Sequence, residues 1–300
     1  MRFFNESRSC TSLSRVAAVF AGVALLLTVT VAQAQKPEQR GIFGAGQPGE
    51  VSVVRLEAKK MGLKDFQMQS RSVDGRLAID SFTSRLGSGI LSGTGKVDWS
   101  RPNDVQAMRI QFQNVETMAL LKAFDVKLDA TVQSMASGVI NVRWQGVRGS
   151  LPRQTMNGTV QINFGPGYVT NADVLTQLAS VTGIRELQQF EFNSGHLSGT
   201  ITNGMMAVNE VELEGPTKAT KGKGLLDLRT EQVQIRFDGY VSPAIATRST
   251  QPQIRTAAKV IGKLAGKEFS KLVRLPIPIV MYGRVRDPQF SFSSAGSSEE

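Results

Sequence analysis

The sequence predicts a mainly β chain, an antiparallel sheet of amphipathic strands with two or three short helices. Three observations carry this. Val233, Ile235 and Phe237 are apolar while Gln232, Gln234, Arg236 and Asp238 are polar, which is the period of a strand with one apolar face. Asn203-Gly204 separates two stretches of strand character, and a tight turn between twisted strands needs the positive φ that this pair adopts readily. Finally, the stretch Phe190–Val241 that contains both features has a counterpart earlier in the chain.

The counterpart begins at Asp74-Gly75, which lies 129 positions before Asn203-Gly204. Without a gap, Ile79 falls on Val208, Phe82 on Val211, Gly93 on Gly222, Gly95 on Gly224 and Asp98 on Asp227. A four-residue deletion then sets Ile110 and Phe112 on Ile235 and Phe237. The two β units, about 66–112 and 190–241, suggest one long repetitive sheet more than two unrelated domains.

Composition fits that reading. The chain has 300 residues, 41% hydrophobic and 20% charged, with 29 glycines and a net charge of +10, a globular balance with length for a sizeable core. The basic excess points to anionic partners. Arg2, Arg8 and Arg15 precede the uncharged, mostly apolar run Val16–Val31, and Ala32-Gln33-Ala34 follows. Residues 1–34 therefore read as a signal peptide with a small-x-small cleavage site; the alternative is an uncleaved anchor, although sixteen residues fall short of the ~20 that a span needs. Cleavage leaves a charge of +8 and removes Cys10, the only cysteine, so disulfides are not expected.

In order, residues 35–50 are a Gly/Pro-rich linker, and Val51–Phe66 enters the sheet as a short strand or helix. After the first unit, Val115, Met118, Leu120 and Leu121 predict a helix over Asn114–Phe124, followed by strands at Val126–Val132, Val139–Trp144 and Met156–Phe164. Gly165-Pro166-Gly167 breaks the sheet; Asn171 or Asp173 caps a helix to about Leu187, with Val174, Leu175, Leu178, Val181 and Leu187 as its buried stripe. The second unit leads to a loop over Ser242–Gln253, an amphipathic helix over Ile254–Val273, one last strand over Val280–Phe290 and a frayed tail at 291–300.

Little here suggests catalysis. His196 is the only histidine and reads as a solvent-exposed turn residue, so no zinc site of soft ligands is expected and no G-x-S-x-G elbow accompanies it. Glu210, Glu212 and Glu214 share one face of a strand, a solvated face. The glycine-rich run 87–95 lacks a following Lys-Ser/Thr and reads as a bend. No cofactor or metal is expected. Arg255, Lys259, Lys263, Lys267 and Lys271 recur at every fourth position of the last helix, a basic stripe suited either to anionic headgroups or simply to solvent. Without interleaved aromatics it does not predict nucleic-acid binding.

The segments FNSGHLSGTITNGMMAVNEVELEG, GKGLLDL and VQIRFDGYV resemble the C-terminal region of AsmA-like proteins, relatives of TamB, as do TMNGTVQINFGPGYVTNADVL upstream and LPIPIVMYGRVRDPQF downstream. The resemblance spans roughly Val105–Phe290 and marks 51–290 as an AsmA-like β domain; typical members are much longer, with a membrane anchor and a helix-rich N-terminal module. It implies a long curved antiparallel sheet forming a groove or half-open barrel that takes up lipid chains. The residues alone leave open a sandwich closed on itself, since an apolar sheet face must be buried and the helices look too few to cover it.

The expected function is thus a non-enzymatic periplasmic or envelope protein that binds or transfers phospholipid or another envelope lipid in outer-membrane and envelope biogenesis. Lipid-groove candidates are Met108, Ile110, Phe112, Val160, Ile162, Phe164, Val233, Ile235 and Phe237. The basic stripe is the candidate for headgroups or a membrane surface, and an envelope protein partner is allowed for. The expected location is the periplasm, or the inner membrane facing it if residues 1–34 remain as an anchor. The alternative function is a structural or adaptor envelope protein with a closed sandwich and no lipid.

Overall fold

The computed structural model describes residues 62–73, 76–97, 105–123, 130–146, 151–264, 272–285 and 287–292. The expected signal peptide and linker, most of Val51–Phe66 and nearly all of the predicted tail lie outside these residues.

The first unit forms four antiparallel strands, β1 (Lys64–Val73), β2 (Arg76–Leu86), β3 (Gly89–Val97) and β4 (Val105–Glu116). Helix α1 (Thr117–Ala123), β5 (Thr131–Gln133), β6 (Met135–Gln145), the single turn α2 (Leu151–Gln154) and β7 (Asn157–Phe164) follow. Next come β8 (Gly167–Thr170), α3 (Asp173–Thr182), a 3-10 turn (Arg185–Gln188) and β9 (Phe190–Phe192). The second unit supplies β10 (Ser194–Thr202), β11 (Met205–Glu214), β12 (Lys218–Asp227) and β13 (Gln232–Val241). The chain ends with α4 (Pro243–Ala246), α5 (Pro252–Leu264), β14 (Val273–Arg274), β15 (Ile279–Arg284) and β16 (Asp287–Phe292).

Thirteen strands form one sheet in the order β1-β2-β3-β4-β6-β7-β10-β11-β12-β13-β15-β16, with β14 beside β13; β1 and β16 do not meet, so the sheet is open. A smaller sheet, β5-β8-β9, packs Val132, Val169, Phe190 and Phe192 into the same hydrophobic cluster as the large one. The architecture is mainly β, with a long antiparallel sheet and few short helices. It is not a sandwich. The inner side chains of strands as far apart as β4 and β13 share one buried cluster. That burial needs a cover, and the small sheet and helix α3 contribute Val132, Val169, Val174, Leu175, Phe190 and Phe192 to it.

The two units have matching irregularities. In β1–β2 the register shifts between Gln69/Ser70, and in β10–β11 between Ser198/Gly199; in β2–β3 it shifts between Ile79/Phe82, and in β11–β12 between Val208/Val211. Each pair of positions lies 129 residues apart. Such shifts are bulges that bend a strand and add twist, so both units bend at equivalent places. Asn203 and Gly204, at φ 48° and 77°, form the tight turn between β10 and β11.

Several local expectations are corrected. The predicted helix over Asn114–Phe124 starts only at Thr117; Val115 is a buried strand residue and Met118 faces solvent. The helix after Gly167 stops at Thr182 because Gly183 takes a left-handed conformation (φ 69°), so Leu187 is buried from a separate 3-10 turn, Val181 is exposed, and the N-cap is Ala172 rather than Asn171 or Asp173. The loop over Ser242–Gln253 contains α4, capped by the Ser242 hydroxyl. Helix α5 is described over Pro252–Leu264, starting two residues before Ile254, and Val273 is a strand residue that pairs with Val241 in the sheet. The single last strand is a hairpin, β15–β16. Of the glycine-rich run 87–95, only Gly87 and Ser88 form a turn, and residues 89–95 lie within β3. His196 lies within β10 rather than in a turn, and it is half-buried.

At the β12–β13 turn, the Arg229 backbone N–H and Nε donate to Asp227 Oδ1 at 2.9 and 2.8 Å, and Nη2 donates to Oδ2 at 2.9 Å. The hydrogen bonds from Arg229 hold the Asp227 carboxyl down to about 2, from an ordinary 3.8, against the opposing effect of partial burial. The folded value is depressed, so the stabilisation is present above pH ~4 and is lost as pH falls through about 2. Asp227→Asn is expected to lower the thermal midpoint at pH 5–7, with the difference from the parent vanishing toward pH 2, as followed by circular dichroism.

Candidate functional site

The inner face of the sheet is built by strand alternation. Ile110 and Phe112 on β4, Val160, Ile162 and Phe164 on β7, and Val233, Ile235 and Phe237 on β13 are all buried in one cluster, and Met108 packs half-buried against it. The intervening strands fill the gaps between them with Ile140, Leu197, Ile201, Met206 and Leu226. All nine sequence-predicted groove residues therefore share one face, and eight of them are covered by other parts of the chain.

Glycines thin the wall opposite aromatic rings. Phe82 is paired with Gly93, Phe112 with Gly138 and Phe237 with Gly222 across adjacent strands. A Cβ added at these glycines would lie 2.5, 2.7 and 2.6 Å from the facing ring. Each ring thus lies over bare backbone, a position that any side chain on the neighbouring strand would occupy. Near the β1 edge the inner face is less covered: Phe66, Met68 and Phe82 are half-buried, and the Phe66 and Phe82 rings stack at 6.2 Å.

A cavity of about 60 Å³ lies at one end of this interior, bounded mainly by apolar groups. Val174, Leu175 and Leu178 of α3 form one side; Phe237, Ile279 and Phe290 of the sheet form the other. Phe237 is the one sequence-predicted groove residue that lines it. The volume corresponds to roughly two water-sized groups.

Helix α3 is held over the cavity from two directions. Its Val174 and Leu175 belong to the main cluster, while Leu178 and Ala179 join a second one with Val241, Ile254, Ala258 and Leu275. Beyond it, Lys218 Nζ donates to the carbonyls of Glu186 and Gln189 at 2.7 and 2.5 Å, tying the 3-10 turn to β12. Burial pushes the Lys218 ammonium below the ordinary lysine value, with Glu191 and Glu186 acting in the opposite direction. Arg248 pairs with Glu186, and the Ser249 hydroxyl donates to the carbonyl of Thr182 at 2.5 Å. The sequence gives no local sign of the Lys218 anchor, because its acceptors come from about thirty residues away.

Helix α5 buries Ile254 and Ala258 against the second cluster and exposes Arg255 and Lys259. Lys263 lies within α5, while Lys267 and Lys271 fall outside the described residues. The basic stripe is therefore described over its first half.

The outer face carries paired polar groups. His196 Nδ1 lies 2.9 Å from Asn163 Oδ1 on the neighbouring strand. Glu212 pairs with Lys221, and that hydrogen bond raises the lysine, while burial and then Glu212 raise the Glu214 carboxyl. Among the described residues no three His, Cys, Asp or Glu side chains are grouped to hold a metal ion, and no helix is long and apolar enough to cross a membrane.

Comparison with known proteins agrees with this architecture. The profile of a family described as YhdP protein matches residues 44–289. The chain is 21% identical over 281 residues to Protein AsmA of Escherichia coli (strain K12), an alignment covering 85% of this chain and 40% of that relative. The chain thus spans well under half the length of the curated relative it matches. No solved structure matches it. The match over 44–289 includes both β units, β7 and β15, and on that extent the chain belongs to the YhdP protein family, within the AsmA-like group.

Proposed function

We propose that this chain is a non-enzymatic envelope protein that binds lipid acyl chains on the apolar inner face of its open sheet and passes them on. The observation that carries the reading is the single hydrophobic cluster running along that face, with an apolar cavity at its end beneath α3. Such an interior suits methylene chains and offers little to a polar substrate. Membership of the AsmA-like family supports a place in the cell envelope, and the periplasm is the compartment we assign.

At about 60 Å³ the cavity is far smaller than an acyl chain. Uptake therefore requires α3 and the 3-10 turn to move away, or the inner side chains to repack. The Lys218, Arg248 and Ser249 contacts are the ones such a movement breaks. Arg255 and Lys259 on the exposed side of α5 suit anionic headgroups, each contributing ~1 kcal/mol near a charged surface.

A second reading is favoured by one observation. Eight of the nine inner candidates are already covered by the chain itself, as a ligand-free adaptor of the envelope would have them. Mass spectrometry of the native protein separates the two. The lipid reading expects co-purified phospholipid at near-stoichiometric amounts, and uptake of a fluorescent phospholipid after delipidation. Lipid-free protein that also takes up none supports the adaptor.

A further inference from the structure

We propose that the sheet continues from one copy of this chain into a second, with β16 of one pairing edge to edge with β1 of the next. The internal repeat supplies the template. Strands β1 and β10 are counterparts, since their register shifts against β2 and β11 fall 129 residues apart. The outer edge of β10 is occupied by β7, in the uninterrupted register Gly195↔Phe164, Leu197↔Ile162 and Gly199↔Val160. Among the described residues the corresponding edge of β1 has no strand beside it.

Among the described residues the other free edge of the sheet is β16, which has the character that this position takes. Pro288-Gln289-Phe290-Ser291-Phe292 repeats the pattern of Val160-Gln161-Ile162-Asn163-Phe164, with glutamine and the final phenylalanine identical. Pro288 and Phe290 are buried on the inner face as Val160 and Ile162 are. Direction also agrees. Every neighbouring pair along the sheet is antiparallel, so β7 and β16, sixth and twelfth in the order, run the same way, as do β1 and β10. A β16 edge laid on β1 is then antiparallel with both apolar faces on one side, as β7 is to β10.

Transferring the template register sets Phe292 opposite Phe66, Phe290 opposite Met68, Ser291 opposite Gln67 and Gln289 opposite Gln69. Phe66, Met68 and Phe292 are half-buried in the single chain, although their counterparts within the sheet include the fully buried Leu197. Pairing covers them. Pro288 withholds one backbone donor, and Asp65 interrupts β1 with a φ of 52°, so the ladder is short and the association weak. Because the contact is heterologous, it repeats head to tail.

The test uses the full chain with Cys10→Ser, which removes its only cysteine, and two single variants, Gln67→Cys and Ser291→Cys. Both positions are exposed, and each variant is first shown to melt within a few degrees of its parent. Directly opposed strand residues lie ~4.5–5.5 Å apart at Cα, within disulfide reach. Under mild oxidation the mixture is expected to give at least ten times more covalent dimer than either variant alone. A mixture no richer in dimer than the single variants overturns the proposal. So does equal self-cross-linking of Gln67→Cys, which marks a two-fold β1–β1 contact, or its capture within one chain by a cysteine placed in residues 44–61. The outcome stands apart from the lipid reading, because no lipid enters the measurement.

Discussion

A glutamate in place of Ile162 is expected to abolish folding, while a glutamate at the adjacent Gln161 leaves stability within ~0.5 kcal/mol of the parent. Ile162 has no exposed surface and sits on β7 between β6 and β10, near the middle of the sheet. Gln161 is exposed on the opposite face. An unpaired carboxylate in the interior costs several kcal/mol even after relaxation, against a total stability of about 5–15 kcal/mol for a protein. Neighbouring residues thus differ in outcome because strand alternation sends them to opposite faces. Soluble yield and denaturation by circular dichroism check it. Tolerance of Ile162→Glu, or unfolding by Gln161→Glu, contradicts the assigned register.

The second large effect concerns the glycines beneath the rings. In an ordinary strand, alanine is no worse than glycine. At Gly222 the sign reverses, because the new Cβ would sit 2.6 Å from Phe237 Cδ1 and 2.7 Å from Cε1. Gly222→Ala is expected to cost ~1–3 kcal/mol through overpacking. The nearest backbone atom, Arg236 O, is 3.2 Å away, so most of the conflict is with the ring. In a Phe237→Leu background the alanine should therefore be nearly neutral, a coupling of ~1–2 kcal/mol in a double-mutant cycle. Additive costs rule out the ring-over-glycine contact as their source. The same substitution at Gly138 has no such relief, since its Cβ also meets Gln161 O at 2.5 Å.

Much of this was legible in residue order because it is local. Alternation at Val233, Ile235 and Phe237 marks an inner face, and Asn203-Gly204 marks a turn, whatever the rest of the chain does. The matched residues of the two units fall on matched bulges, since a bulge is a property of a short pairing. What escaped was non-local or too short to have a period. Strands β8 and β9, of four and three residues, carry no readable alternation. Val285 and its neighbour carry no Gly, Pro or Asn to announce the β15–β16 turn. Gly183 did carry the sign of a helix end, which the apolar spacing of Leu187 obscured. Alternation also shows that a face is apolar without showing what covers it, so the burial of eight of the nine candidates could not be read from their own strands.

Trp144 offers the most direct test of the central claim. It lies buried on the inner face of β6, and the second tryptophan, Trp99, is removed as Trp99→Phe. Delipidated protein is mixed with phospholipid brominated along its acyl chains, and Trp144 fluorescence is followed. Acyl chains bound on the inner face are expected to quench it saturably at about one lipid per chain, whereas the same lipid without bromine does not. Unquenched fluorescence at saturating brominated lipid contradicts an acyl chain on this inner face.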